Sequence, residues 1–192
     1  MRSRIGVLGG TFNPVHIGHL ILAQDALEKF GLDQVLFVPC ANPPHKRPRR
    51  LAPAKHRLAM LKAALKGDSR FAVSTVEIDR GGVSYSIDTI RQLRRAKPKA
   101  RFYFIIGADT LPELRTWRSI RKISGLCTFV AMGRPGYAGR ATRGFRARPF
   151  PGHLIDISSS EIRQRVSEGK SIRHLVPAAV ERYISHHGLY AK

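Results

Sequence analysis

Short, wholly apolar runs alternate along this chain with longer segments whose apolar residues recur every three or four positions. The first run, Ile5-Gly6-Val7-Leu8-Gly9, reads as a buried strand that ends at Gly9-Gly10. From Ile17 the spacing turns helical through Leu20, Ile21, Ala23, Ala26, Leu27 and Phe30, and Gly31 supplies the stop. Val35-Leu36-Phe37-Val38 is a second strand closed by Pro39, and a Pro-rich basic loop, Cys40 to Pro53, leads into a helix over Ala54–Leu65. Phe71 to Ile78 reads as a strand broken by Arg80-Gly81-Gly82. Ser86 then caps a helix from Ile87 to about Arg95, with Asp88 favoured by the helix dipole in its first turn.

Further on, Phe102–Ile106 is a buried strand, and Asp109 opens a short helix. Thr128–Met132 and Leu154–Ile157 read as strands, and Ser158 or Ser159 caps a helix beginning near Glu161. Pro177 suits a helix start, Val180–Ile184 is helical and Gly188 stops it. Apolar strands alternating with helices predict an α/β fold, a mostly parallel sheet with helices on both faces, and ligands beyond the carboxyl ends of its strands. With no boundary and no internal repeat, residues 1–192 are expected to form one domain. The Arg- and Gly-rich stretch 134–151 reads as a mobile surface loop, and 158–192 as a C-terminal helical segment.

Composition adds one strong feature: 34 Lys and Arg against 13 Asp and Glu, a net charge of +21. That excess favours anionic partners. The apolar share of 43% is ordinary for a globular chain. Cys40 and Cys127 form neither a disulfide framework nor a zinc spacing, and free thiols suit a reducing cytosol, so a cytoplasmic location is expected. The N-terminus runs straight into a strand, which leaves no expected signal peptide, and no apolar run approaches the roughly 18 residues of a membrane span.

The richest string is Gly9-Gly10-Thr11-Phe12-Asn13-Pro14-Val15-His16-Ile17-Gly18-His19, placed where a strand hands over to a helix. Glycines there let phosphates approach backbone N–H groups, and the helix N-terminus adds partial positive charge. His16 and His19, three apart, can face one ligand, and Gly18 between them leaves space for a nucleotide against the backbone. Lys46, in Asn42-Pro43-Pro44-His45-Lys46 after the second strand, is a mobile point charge suited to a polyphosphate.

Gly82-Val83-Ser84-Tyr85-Ser86 precedes a helix whose free N–H groups can grip a carboxylate or phosphate, with Tyr85 able to stack on a flat ring. Gly107 and Asp109 end a strand in a manner suited to a base and ribose hydroxyls. Trp117, between Arg115 and Arg118, reads as a stacking surface. In Ser158-Ser159-Ser160-Glu161-Ile162-Arg163, N–H groups, hydroxyls and a guanidinium can converge on phosphate oxygens. Four of these features have a plain structural alternative: a rigid loop with a solvated cation at Lys46, a capped helix with Tyr85 in the core, a core aromatic at Trp117, and ordinary capping with a solvated Arg163.

Taken together, the strings resemble the bacterial nicotinate-mononucleotide adenylyltransferases, from Ile5 through Val176-Pro177, Tyr183-Ile184 and Gly188-Leu189-Tyr190, with the stretch 134–151 matching only over Arg134-Pro135-Gly136-Tyr137. The resemblance implies a Rossmann-like nucleotidylyltransferase fold. It implies adenylyl transfer from ATP to nicotinate mononucleotide, with Mg²⁺, giving nicotinate adenine dinucleotide and pyrophosphate. Carried over by motif, Gly9, Gly10, Thr11 and Phe12 would line the phosphates, His16 and His19 would contact those of ATP, and Lys46 would reach the polyphosphate. Tyr85 and Trp117 would hold the pyridine ring, while backbone near Ser86 and Arg118 meets its carboxylate; Arg134 belongs to the same acceptor set. Gly107 and Asp109 would lie by the adenosine, and Ser159 and Arg163 would close over the β and γ phosphates.

Two rivals stand beside this. An adenylyltransferase for nicotinamide mononucleotide or phosphopantetheine would use the same Gly-Gly-Thr-Phe and His-x-x-His parts. A nucleic-acid binder would use the charge, notably eight Lys and Arg with no acid between Gln34 and Gly67 and nine with no acid between Leu114 and Ile155. No helix-turn-helix, zinc or aromatic-interleaved signature accompanies that charge, so the expected partners are small molecules and no specific nucleic acid.

Overall fold

The structure, a computed structural model, describes residues 2–43, 51–133, 147–153 and 155–191, with the side chains of 108 and 109 outside that description. Six strands form one sheet: β1 (Arg4–Gly10), β2 (Gln34–Pro39), β3 (Phe71–Val73), β4 (Arg101–Gly107), β5 (Thr128–Gly133) and β6 (Ala147–Pro151). Their order is β3-β2-β1-β4-β5-β6 and every pairing is parallel. The chain builds outward from β1 to β3, then returns to lay β4 on the other side of β1. The order therefore reverses between β1 and β4, and a crevice opens beyond their carboxyl ends, at Gly9-Gly10 and Gly107.

Strand alternation divides the core in two. Leu8, Val35, Phe37, Ile105 and Val130 face helices α1 (Ile17–Phe30), α2 (Ala54–Leu65), α6 (Ser159–Ser167) and α7 (Ala178–His186), through Ala23, Leu61, Ile162 and Ile184. Ile5, Val7, Leu36, Val38, Phe104 and Phe129 face the other way, toward α4 (Ser86–Ala96) and α5 (Ile120–Ser124), through Ile90 and Ile123. Both faces of the sheet are covered, as the apolar strands require. At β1 the first face is so close that a Cβ on Gly6 would stand 2.9 Å from both Ile105 Cδ1 and Leu32 Cδ1.

Three expectations are corrected. The strand expected over Phe71–Ile78 stops at Val73, and α3 (Val76–Arg80) follows. β3 is an edge strand on β2, and Ser74 N–H closes the ladder on Phe37 O at 2.9 Å. The Thr75 hydroxyl then bonds the Asp79 carboxylate at 2.7 Å, and Gly81 ends the turn at φ 68°, so local side-chain bonding overrides the apolar run. The last strand is not Leu154–Ile157 but Ala147–Pro151, inside the stretch expected as a surface loop. Its two prolines are tolerable because it pairs with β5 alone and needs no donors on its outer edge. Phe150 supplies the adhesion, buried edge-on against Phe30 with ring centroids 5.3 Å apart. Finally, α4 begins one residue early, with Tyr85 rather than Ser86 at the cap position and no side-chain cap bond.

Candidate active site

A cleft of about 880 Å³ lies at the reversal point, lined by backbone and side chains from β1, β4, α1, α4 and α6. Gly9, Gly10, Thr11, His16, Gly18 and His19 form one wall. The loop Thr11–His16 is held from several sides. Asn13 is fully buried; its Oδ1 accepts Ala52 N–H at 3.0 Å and the Tyr190 hydroxyl at 2.8 Å. The Arg163 guanidinium donates to Asn13 O at 2.8 Å and to Ser160 Oγ at 3.1 Å, and the Ser159 hydroxyl donates to Pro14 O at 2.8 Å. These bonds hold the loop in place before any ligand arrives, which is what electrostatic catalysis needs.

The two histidines stand ring against ring, centroids 3.7 Å apart. His19 Nδ1 accepts the backbone N–H of His16 at 3.2 Å, which leaves Nε2 to carry the proton of the neutral ring and to donate it. His16 Nδ1 is buried with no hydrogen-bond partner among the described residues. Burial pulls His16 down from 6.5 to about 4, and burial together with the neighbouring His16 pulls His19 well below its ordinary value. Both rings are neutral at pH 7.

Stability depends on pH accordingly. The unfolded chain takes up protons near pH 6.5 that folded His16 refuses until about pH 4. The unfolded state thus binds more protons in that window, and stability, complete above it, falls as pH drops through it. Urea unfolding of the wild type should show this loss, with a shallower loss for His16→Gln; identical slopes would mean that His16 is not held neutral by burial.

The facing wall carries Ser84, Tyr85, Ser86, Trp117 and Arg118. Tyr85 and Ser86 sit at the N-terminus of the 11-residue helix α4, on the cleft, where the first N–H groups of a helix lack intrahelical partners. Arg118 lies over the Tyr85 ring, its guanidinium carbon 4.7 Å from the centroid, so one face of that ring is already occupied by a cation. Trp117 is half-buried, edge-on to Phe104 at 5.6 Å and to Phe129 at 6.2 Å, and it also lines the cleft. It combines the core role and the exposed surface that the sequence left as alternatives.

Gly107 closes β4 at the floor, and Ser158 and Ser159 bring the N-terminus of α6 to the rim. Ser158 is the cap, its Oγ accepting Glu161 N–H at 3.1 Å.

Of the expected site residues, Gly9, Gly10, Thr11, His16, His19, Tyr85, Ser86, Gly107, Trp117, Arg118 and Ser159 therefore share one cavity. Phe12 does not: its side chain is 1% exposed and packs in the core edge-on to His19, with centroids 5.0 Å apart. The glycines beside it have no side chain to bury and line the cleft, whereas an aromatic ring gains free energy from burial. Gly18 lines the cleft as well, but not with free space on every side. The space left by its missing Cβ is taken by the His16 ring, whose Nδ1 would stand 3.2 Å away. Arg163 grips the loop and is not among the lining residues. Lys46, Arg134 and the Asp109 side chain lie outside the described residues.

Sequence reasoning passed over several residues. Glu77, Thr89, Glu113 and Asp156 line the cleft. Glu77 is buried and accepts the Thr89 hydroxyl. It was hidden inside an expected strand, as was Asp156. Arg57, Ser84 and Asn13 carry no motif of their own, although Asn13 stands within the most specific string.

A parallel sheet with a glycine loop at its reversal point, two neutral imidazoles and two helix N-termini around one cleft defines a nucleotide-binding α/β enzyme. The cytidylyltransferase-like family model matches residues 7–165. The probable nicotinate-nucleotide adenylyltransferase of Halalkalibacterium halodurans is 46% identical over 189 residues, 98% of this chain and 91% of that protein. A protein of the same description from Thermus thermophilus is 45% identical over 192 residues, 97% of this chain and 99% of that one. Among solved structures, the Plasmodium falciparum nicotinic acid mononucleotide adenylyltransferase complexed with NaAD superposes with a TM-score of 0.79 at 19% identity, covering 98% of both chains, and shares the fold. This chain belongs to the cytidylyltransferase-like family and, within it, to the nicotinate-nucleotide adenylyltransferases.

Proposed function

We propose that the protein transfers the adenylyl group of ATP to the phosphate of nicotinate mononucleotide, releasing pyrophosphate and forming nicotinate adenine dinucleotide, a step of NAD biosynthesis. The observation that carries this reading is the single cleft, with a phosphate-suited loop on one wall and an aromatic, N–H-rich wall opposite. An oxygen of the acceptor's phosphate attacks the α-phosphorus. A P–O bond forms there, the bond to the β-phosphate bridging oxygen breaks, and its electron pair leaves with pyrophosphate. The acceptor is already an anion, so no side chain need remove a proton from it. The protein aligns the two phosphates and stabilises the charge shifting onto the leaving group.

His19 Nε2–H, with Nδ1 already engaged, is the donor for the ATP phosphates, and His16 lies against it. Backbone N–H groups of Gly9 to Thr11 and of the α6 N-terminus at Ser159 meet the phosphates, and Lys46 and Arg163 add positive charge. Gly107 and Asp109 accompany the adenosine. Trp117 and the free face of Tyr85 hold the pyridine, the α4 N-terminus with Ser86 and Arg118 holds its carboxylate, and Arg134 completes the acceptor set. Among the described residues no group of three His, Cys, Asp or Glu stands together as a metal cage. Mg²⁺ would therefore be held through the ATP phosphates and water, as this ion commonly is, neutralising charge on the triphosphate.

Nicotinate carries a carboxylate where nicotinamide carries a neutral amide. Charge-assisted hydrogen bonds contribute about 1.5 to 3 kcal/mol, so kcat/KM should favour the acid mononucleotide roughly ten- to a hundredfold. Equal efficiency with both would contradict the assignment of the acceptor wall. The activity itself is tested by pyrophosphate release with ATP and nicotinate mononucleotide: stoichiometric pyrophosphate is expected, and its absence with a folded, ATP-binding protein would overturn the reading.

A further inference from the structure

One buried side chain joins the phosphate-suited loop after β1 to the segment after β2, and that segment in turn bonds the acceptor wall at Ser84. Arg57, on α2, is 1% exposed. Its Nε donates to Ala52 O at 3.0 Å, Nη1 to Thr11 O at 2.9 Å and to Cys40 O at 2.8 Å, and Nη2 to Ala41 O at 3.3 Å. Among the described residues its hydrogen-bond partners are thus four carbonyl oxygens. Thr11 belongs to the phosphate-suited loop after β1, while Cys40 and Ala41 follow β2. The chain of contacts goes on: Ala41 N–H donates to Ser84 Oγ at 2.9 Å, Ser84 N–H to Asn42 O at 3.0 Å, and Asn42 Nδ2 to Gly82 O at 3.0 Å. Ser84 immediately precedes Tyr85 and Ser86 on the acceptor wall.

We propose that Arg57 is a positioning residue that fixes the separation between the ATP-binding loop and the acceptor wall through Thr11, Cys40, Ala41 and Ser84; this rests on the two-substrate reading above. A planar, five-donor guanidinium can bridge carbonyls of two loops at once, and a lysine ammonium on a single flexible stem cannot reproduce that fork. Asn13 is held by Tyr190 and Ala52, and the two strand ends meet directly where Cys40 N–H donates to Gly10 O at 2.9 Å, while Thr11, Ala41 and the Ser84 bond beyond them depend on the guanidinium. Loss of Arg57 therefore leaves each substrate a place to bind but loosens their mutual alignment. Misplacement of reacting groups by about 1 Å can cost on the order of 100-fold in rate.

The test compares wild type, Arg57→Lys, Arg57→Ala and Ser84→Ala, with folding checked by circular dichroism, ATP affinity by calorimetry and turnover at saturating substrates. Folded Arg57→Lys should bind ATP within roughly threefold of wild type while kcat falls about 100-fold. Ser84→Ala should move in the same direction by less. Millimolar guanidinium chloride should restore part of the turnover of Arg57→Ala and none of that of Ser84→Ala. A merely structural role would reduce ATP-competent protein and turnover together. Should Arg57→Ala not fold, the lysine variant decides alone. Near-normal kcat in folded Arg57→Lys, or a loss matched by its loss of ATP-binding sites, overturns the proposal. A wild type that binds ATP but forms no product instead overturns the functional reading, and the proposal falls with it.

Discussion

His19→Ala should lose about 100- to 1000-fold in kcat while remaining folded, the range typical for removal of one preorganised donor to developing charge. Three observations set the expectation. The ring lines the cleft beside the glycine loop. Its Nδ1 accepts the His16 backbone N–H, so the neutral ring donates from Nε2. Burial and His16 keep its pKa well below the usual histidine range, so the ring is a neutral donor that needs no rearrangement as the leaving group develops charge. Alanine there also removes the acceptor of the His16 N–H and a ring packed on His16 and Phe12, so a loss of stability accompanies the loss of rate and has to be measured beside it. Saturating kinetics with thermal unfolding on the same preparation separate the two. Near-normal turnover in the folded variant would remove His19 from the chemistry.

Phe12→Ala should show the reverse pattern, a loss of about 3 to 5 kcal/mol of stability, the cost typical of emptying a buried aromatic site. Phe12 sits in the same short string as the phosphate-suited glycines, yet its ring is buried against His19 and Phe37, at centroid distances of 5.0 and 5.8 Å. Its backbone has φ 47°, an uncommon conformation for an aromatic residue, tolerated where packing over-determines it. Denaturant titration measures the loss. A phosphate-contacting Phe12 would instead weaken ATP binding with stability unchanged, and that outcome would contradict this packing.

These two neighbours illustrate what could be read from the chain. Backbone chemistry was readable. A glycine pair at the end of an apolar run, with a helical pattern following it, places a phosphate-suited loop at a strand terminus whatever the remainder of the fold. The same holds for Ser158-Ser159 ahead of α6, while at α4 the helix was readable and its cap was not, Tyr85 taking the position expected of Ser86. The two-sided core was readable because parallel strands buried on both faces must be apolar throughout, as Val35–Val38 and Phe102–Ile106 are. The direction of individual side chains was not. Whether Phe12 faces a ligand or the core, and whether the space at Gly18 is filled by a nucleotide or by His16, depends on contacts with α1 that spacing does not encode.

Edge strands were the other failure. β3 gives way to a helix after three residues, and β6 carries two prolines that a central strand would reject. Long-range polar bridges were invisible altogether. Arg57 is one of eight cations in an acid-free stretch, and nothing local distinguishes it from its solvated neighbours. The large positive charge, by contrast, needs no single site to explain it; an anionic nucleotide and an anionic acceptor both gain from it.

The most direct test of the central claim, that ATP is attacked at its α-phosphorus by another phosphate in this cleft, follows the label from ATP carrying radioactive phosphorus at either the α or the γ position, with nicotinate mononucleotide as acceptor. The account predicts α-label in nicotinate adenine dinucleotide and γ-label in pyrophosphate. Transfer of the γ-label to the acceptor, or its release as inorganic phosphate, would contradict it.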